Sequence, residues 1–192
     1  MKITFLRHAQ TTANRDGYFA GRLDCHITET GFKEASQLFP NSKFDAIYCS
    51  PLQRTSETLH AFMPTAKPII DDRITEMDVG VWQGQYKEQI TAPLIKKFLD
   101  GEYLPDGAES ISETDARISD FVSDMFDSHN ENDNILVVTH NGALRSVKRL
   151  FANGNNPIMS KNLELIVLIF KNIRNKPKKD AFSVFFYLIL FQ

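Results

Sequence analysis

Two short apolar, β-branched runs in this chain each end in a histidine. Ile3-Thr4-Phe5-Leu6 leads into Arg7-His8, and Ile135-Leu136-Val137-Val138 leads into Thr139-His140-Asn141-Gly142. In open α/β sheets ligands collect beyond the carboxyl ends of the strands. If these two strands are parallel neighbours, both imidazoles emerge at one edge. Arg7 brings to that edge a planar fork of donors suited to phosphate oxygens. A helix opening near Asn141 would add free backbone N–H groups and the positive end of its dipole. The combination describes an anion-binding hole of histidine and arginine, without a glycine-rich phosphate loop. A neutral imidazole is a competent nucleophile near neutrality, its ordinary pKa being about 6.5.

The elements that must position these residues are legible at the level of patterning. Strands are expected at Lys2–Leu6, Ala46–Cys49 and Ile135–Thr139. Thr28-Glu29-Thr30-Gly31 opens a run with Phe32, Ala35, Leu38 and Phe39 at helical spacing. Ser50-Pro51 reads as an N-cap followed by proline at the first helical position, with the helix running toward Phe62. Ile111–Phe126 places Ile118, Phe121, Val122 and Met125 on one face, and Asn141–Phe151 is a further helix. Short strands alternating with helices predict an α/β fold, a three-layer α/β/α sandwich around a mainly parallel sheet. The stretch from about Val79 to Glu109 breaks the rhythm with Gly80, Gly84, Pro93, Gly101, Pro105 and Gly107, and reads as a small lid insertion. Late apolar runs, Leu163–Phe170 and Phe182–Leu190, joined by the basic Lys171–Asp180, read as a strand pair closing the sheet.

Composition narrows the function classes. At 192 residues and 42% hydrophobic content, one domain spanning 1–192 can bury a core. A net charge of -2 argues against nucleic acid as a partner. Cys25 and Cys49 are too few for a disulfide framework and lack zinc-ligand spacing; free thiols in a reducing cytoplasm are the expectation. Arg7 and His8 interrupt the N-terminal apolar run before a signal-peptide core can form. Ala181–Phe191 is too short to cross a bilayer as a helix, so no membrane span is expected. Its greasiness suits a buried strand first, then a homodimer contact, then a membrane-surface anchor aided by Lys178 and Lys179.

The motifs carry a resemblance. Arg7-His8-Ala9-Gln10-Thr11-Thr12-Ala13-Asn14 resembles the signature of the histidine phosphatase superfamily, also called phosphoglycerate-mutase-like. In family order follow Gly21-Arg22-Leu23-Asp24, Ile27–Gly31, Ser50-Pro51-Leu52-Gln53-Arg54, Glu76–Gly84, Pro105–Ser110 and Val138–Gly142. The resemblance implies a catalytic set of His8, Glu76, His140, Arg7 and Arg54. His8 would accept the phosphoryl group. Arg7, Arg54 and His140 would hold its oxygens with Asn14 at the rim, and Glu76 would serve as acid and then base. Gln10, Thr11, Arg22, Asn141 and Gly142 complete the expected substrate-binding set. No metal and no cofactor is implied, since arginines supply the charge stabilisation.

Four positions depart from the family pattern: Ala9 for glycine, Gln10 for an acid, Gln83 for a second acid and Asn141 for glycine. The short insertion favours a phosphatase, acting on a small phosphorylated metabolite, over a mutase, and the intact His8–Glu76 pair speaks against a non-catalytic phospho-ligand binder. Sugar phosphates, phosphoserine, α-ribazole phosphate and phosphoglycerates are the candidate substrates, with Arg22, Trp82, Tyr86, Lys87 and Tyr103 as candidate specificity residues.

Overall fold

The computed structural model describes residues 1–39, 42–151, 161–171 and 183–189. Six strands form one sheet in the order β3-β2-β4-β1-β5-β6. They are β1 (Lys2–Arg7), β2 (Ala46–Cys49), β3 (Ile69–Ile70), β4 (Asn134–Thr139), β5 (Leu165–Lys171) and β6 (Ser183–Ile189). β3, β2, β4 and β1 pair in parallel. β5 runs antiparallel to β1, and β6 antiparallel to β5, so the sheet is mixed but mainly parallel. The late strand pair is present; its connection over 172–182 lies outside the described residues.

Period-two patterning decides which side chain faces which layer. Ile3, Phe5, Ile135 and Val137 pack with Ile118, Phe121, Val122 and Met125 of α5 (Ile111–Ser128) and with Ala143, Leu144 and Val147 of α6 (Asn141–Phe151). Leu6, Leu136, Val138 and Cys49 face the other way, against Leu38, which follows α2 (Glu29–Ala35), and Leu59 of α3 (Gln53–Phe62). Helices thus cover both faces, as the alternation of elements implies. Phe32, expected on the buried face of α2, is 44% exposed; Gly31 and Ala35 make the contact instead. A Cβ at Gly31 would lie 2.5 Å from the Gln10 carbonyl oxygen, so the helix approaches the strand-end loop too closely for a bulky face.

α3 begins two residues later than Ser50-Pro51 suggests, with Leu52 as its N-cap. Ser50 is diverted: it is buried, and its Oγ pairs with Nε2 of His140 at 2.7 Å. α5 starts at a capping box, Ser110 Oγ accepting from the Glu113 N–H while the Glu113 carboxylate accepts from the Ser110 N–H.

Between the acid segment and α5, residues 79–109 form 3₁₀ turns (Gly80–Trp82, Lys87–Gln89) and α4 (Ala92–Asp100) around a core of their own. Met77, Val79, Trp82, Ile90 and Phe98 make that satellite cluster, with Phe19 packed against it. Its root is tight. Gly80 has φ +53°, and a Cβ there would meet the Asp106 carbonyl oxygen at 2.0 Å, so no other residue fits.

Candidate active site

Arg7 pairs with Thr139 in the parallel β1–β4 register, so His8 and His140 follow at the same edge of the sheet. Their rings lie 5.2 Å apart. The His8 backbone N–H donates to the Thr139 carbonyl at 2.9 Å, and the Ala9 N–H donates to Thr58 Oγ1 at 2.9 Å, fixing the turn after the strand. The ring is fixed as well. His8 Nδ1 lies 2.7 Å from the Ala9 carbonyl oxygen, which can only accept, so Nδ1 carries the proton and Nε2 presents a lone pair. Burial, then the neighbouring Arg7 and Arg54 charges, hold the imidazole well below its ordinary pKa. It is therefore neutral at physiological pH, the form a nucleophile requires.

A cavity of about 100 Å³ opens above this edge, and its lining includes Arg7, His8, Thr11, Asn14, Arg54 and Glu76. Thr11 caps α1 (Thr12–Asp16), and Asn14 is held by it. Asn14 Oδ1 accepts from the Thr11 N–H (3.1 Å), the Thr11 hydroxyl (3.0 Å) and Asn162 Nδ2 (3.0 Å). That leaves the Asn14 amide N–H groups as the end available to an anion. Arg54 is 2% exposed and mostly committed to protein. It donates to the carbonyls of Leu23 and Gly21 and, from Nε, to His140 Nδ1 at 3.2 Å. Nη1 also lies 3.8 Å from Cys25 Sγ, which leaves one of its five N–H donors for a ligand.

His140 departs from the expected role. Its Nδ1 accepts from Arg54, so its proton sits on Nε2 and is donated to Ser50. The ring is fully buried and lies behind the cavity lining rather than in it. Burial, then the surrounding charges led by Arg54, hold it neutral too. Its geometry suits orienting Arg54 more than gripping an oxygen.

Glu76 enters from the loop ahead of the satellite cluster. Its Oε1 accepts from the Met77 N–H and from the Gly142 N–H, both at 2.8 Å. The first turn of α6 thus spends a donor on the acid instead of facing it to the cavity. A Cβ at Gly142 would stand 2.4 Å from that oxygen, which explains glycine at this position. Asn141 and Gly142 both line the cavity.

Two expected residues sit elsewhere. Gln10 turns to α2, its Oε1 accepting from the Thr28 hydroxyl at 2.8 Å, so the missing acid at this position is not a change in the cavity. Arg22 lies outside the lining and donates from Nε to the Glu76 carbonyl at 3.2 Å. Among the specificity candidates, Lys87 lines the cavity, whereas Trp82 is 4% exposed at the centre of the satellite cluster. Tyr86 and Tyr103 lie outside the lining.

Sequence reading missed Tyr18, Phe98 and Arg145 in the lining. Arg145 is 5% exposed, and its Nη2 donates to the Leu99 carbonyl at 2.5 Å. Its spacing from Asn141, one helical turn, was the available signal.

A neutral, oriented imidazole beside buried guanidinium groups, faced by a carboxylate, defines an enzyme built for phosphoryl transfer. The chain matches the histidine phosphatase superfamily (branch 1) over residues 3–175 and belongs to that family. The family works through a phosphohistidine intermediate, and this member is a phosphoric monoester hydrolase.

Phosphoserine phosphatase 1 of Hydrogenobacter thermophilus is 30% identical over 157 residues, covering 77% of this chain and 74% of that one. A metal-independent phosphoserine phosphatase of Arabidopsis thaliana is 27% identical, covering 76% and 66%. The structure of a mutant phosphoserine phosphatase from Entamoeba histolytica, in complex with phosphoserine, superposes with a TM-score of 0.76 at 25% identity. That match covers 88% of this chain and 91% of the other. Among the described residues no helix is long and apolar enough to cross a membrane.

Proposed function

We propose that a single catalytic domain, with residues 79–109 as its lid, hydrolyses small phosphate monoesters, phosphoserine-like esters first among them. The observation that carries this reading is the His8 ring, with Nδ1 locked on the Ala9 carbonyl and Nε2 aimed as a lone pair beside Arg7.

In the first half-reaction His8 Nε2 attacks phosphorus. The bond from phosphorus to the ester oxygen breaks, and protonated Glu76 gives its proton to that oxygen. In the second, the Glu76 carboxylate takes a proton from water as the water oxygen attacks phosphorus; the N–P bond breaks, and inorganic phosphate leaves. Arg7, the remaining Arg54 donor and Asn14 hold the phosphoryl oxygens throughout. Burial of the two arginines and the hydrogen bonds of Asn14 preorganise these donors, so they need little reorganisation when charge moves.

Charge supports a substrate with a second anionic group. Arg7, Arg54, Lys87 and Arg145 line the cavity against the single carboxylate of Glu76. A phosphate dianion does not balance them, so the lining favours a substrate that carries a further anionic group such as a carboxylate. Similarity to phosphoserine phosphatases points the same way. Two free, buried thiols, Cys25 and Cys49, suit a cytoplasmic setting. β6, at the edge of the sheet among the described residues, offers a place for a homodimer contact.

The test is phosphate release from a panel of monoesters without added metal, with His8→Ala as control. Release by the wild type alone supports the reading. Conversion of 3- to 2-phosphoglycerate with supplied bisphosphoglycerate, in place of release, would make the enzyme a mutase.

A further inference from the structure

Glu76 sits on a stretch of backbone that no sheet ladder supports. Residues 75–79 belong to no strand or α-helix, yet the acid must hold its carboxyl against the reacting oxygen to well within an ångström. A few backbone bonds tie this stretch down, from the Thr75 N–H to the Asp72 carbonyl and from the Glu109 N–H to the Asp78 carbonyl, and side chains supply the rest.

Arg117, on α5, sends Nη1 to the Arg73 carbonyl at 2.6 Å and to the Thr75 carbonyl at 2.7 Å. The opposite edge of the same guanidinium grips Glu109 in a fork, Nε to Oε1 at 2.6 Å and Nη2 to Oε2 at 2.8 Å. Glu109 in turn accepts from Arg22 Nη2 at 3.3 Å and from the Asp78 N–H at 3.4 Å. Arg22 returns to the acid itself, Nε donating to the Glu76 carbonyl. The carbonyls of Thr75 and Glu76, consecutive along the chain, are thus held by two different arginines joined through one carboxylate.

The pair at the centre of this bracket is shielded. The side chains of Glu109 and Arg117 are 10% and 16% exposed, whereas Arg22 is 42% exposed. Burial alone would raise the Glu109 pKa, but the hydrogen bonds and charge of Arg117, with Arg22, hold it below the ordinary range. None of the three lines the cavity. Glu109 also marks the point where the 79–109 segment returns, its N–H donating to the Asp78 carbonyl at 3.0 Å.

We propose that Arg117 and Glu109 are positioning residues for the acid–base step, fixing Glu76 through the backbone on either side of it, with Arg22 as a weaker outer support. This rests on the role given to Glu76 above. Arginine is required at 117 because one planar group must serve two carbonyls on one edge and a carboxylate on the other, which an ammonium cannot do.

A double-mutant cycle separates positioning from general support. Arg117→Gln should lower kcat on an alkyl phosphate such as phosphoserine by about 10- to 100-fold, with KM nearly unchanged. The loss should be smaller for first-turnover release from p-nitrophenyl phosphate, whose leaving group needs no proton. Arg117→Lys should fall between wild type and Arg117→Gln. In a Glu76→Gln background the further effect of Arg117→Gln should nearly vanish. Equal losses on both esters, or a full Arg117→Gln loss persisting beside Glu76→Gln, overturns the proposal. If Arg117→Gln does not fold, Glu109→Gln and Arg117→Lys enter the same cycle with the same criteria. Wild-type turnover with Glu76→Gln fully active would instead overturn the role of Glu76, and this proposal with it.

Discussion

The strand ends that carry Arg7 and His8 and the 79–109 segment facing them are held by different forces. At the strand ends every position is set by a backbone ladder. Arg7 is in register with Thr139, His8 donates to Thr139, and the Arg7 N–H donates to the Glu164 carbonyl. The facing segment has isolated bridges, Tyr86 with Tyr18 and Val79 with Ala108, in place of a ladder. It rests on rings packed around Trp82, with Phe19 at 5.5 Å, Phe98 at 5.2 Å and Tyr103 at 5.8 Å between centroids, and on a glycine-closed root. Sheet registers shift only in whole residues and flip every side chain when they do. Ring packing can be altered one side chain at a time. The nucleophile is therefore lodged where variation is costly, and the segment facing it is built where single side chains can change.

The largest effect that would test this contrast is on the nucleophile. His8→Ala should cost at least about 10⁴-fold in kcat while leaving the fold intact, because the turn is held by backbone rather than by the ring. Phosphate release and a thermal melt check both halves; substantial remaining activity would move the chemistry away from this edge.

Next comes packing in the two cores. Phe121→Ala, in the core against the sheet, should lower unfolding stability by about 3–5 kcal/mol. Trp82→Ala, in the satellite cluster, should cost less in global unfolding and raise KM instead. Urea titration beside steady-state kinetics reads both. Equal global losses would mean the segment unfolds only with the rest, and the contrast would fail.

Gly142→Ala should be intermediate. The new methyl would press on the Glu76 oxygen, so kcat should fall about 10- to 100-fold with circular dichroism unchanged.

The smallest effect is pH-linked. His8 and His140 are held neutral by burial first, then by charge, so their folded pKa values lie well below the unfolded value of about 6.5. Below that pH the unfolded chain binds protons that the folded chain does not, and stability falls as pH drops. The slope is up to about 1.4 kcal/mol per pH unit for each histidine, with the full stability present above pH of about 6.5. His140→Asn should shed one histidine's share of that slope, as urea midpoints near neutrality and near pH of about 5.5 would show.

Most of the sheet edge was readable in sequence because apolar alternation and β-branching report directly on strands. Both histidines and Arg7 fall just past such runs, which is why their convergence could be expected. What escaped reading depended on contacts distant in the chain. Ser50 looked like a helix cap because Ser-Pro is a common cap; its Oγ does accept from the Leu52 N–H, but it is shared with His140, 90 residues on. Gln10 and Arg22 looked like pocket residues from their place in the motifs, and the direction of a side chain is not written in a motif. Arg145 was overlooked because an arginine on an amphipathic helix is normally a solvated one. The two-residue β3 carries too little pattern to register: Ile69 and Ile70 are both about half exposed.

The order of strands has a consequence for the birth of the protein. β1 is made well before its sheet neighbours, β4 and β5, which begin at Asn134 and Leu165. At ordinary translation speeds the nucleophile's strand waits on the order of ten seconds for its first partner to be synthesised. Throughout that wait Ile3, Phe5 and Leu6, all fully buried in the finished protein, have no sheet to join. Whatever shelters this nascent run during synthesis therefore bears directly on how much active enzyme a cell obtains.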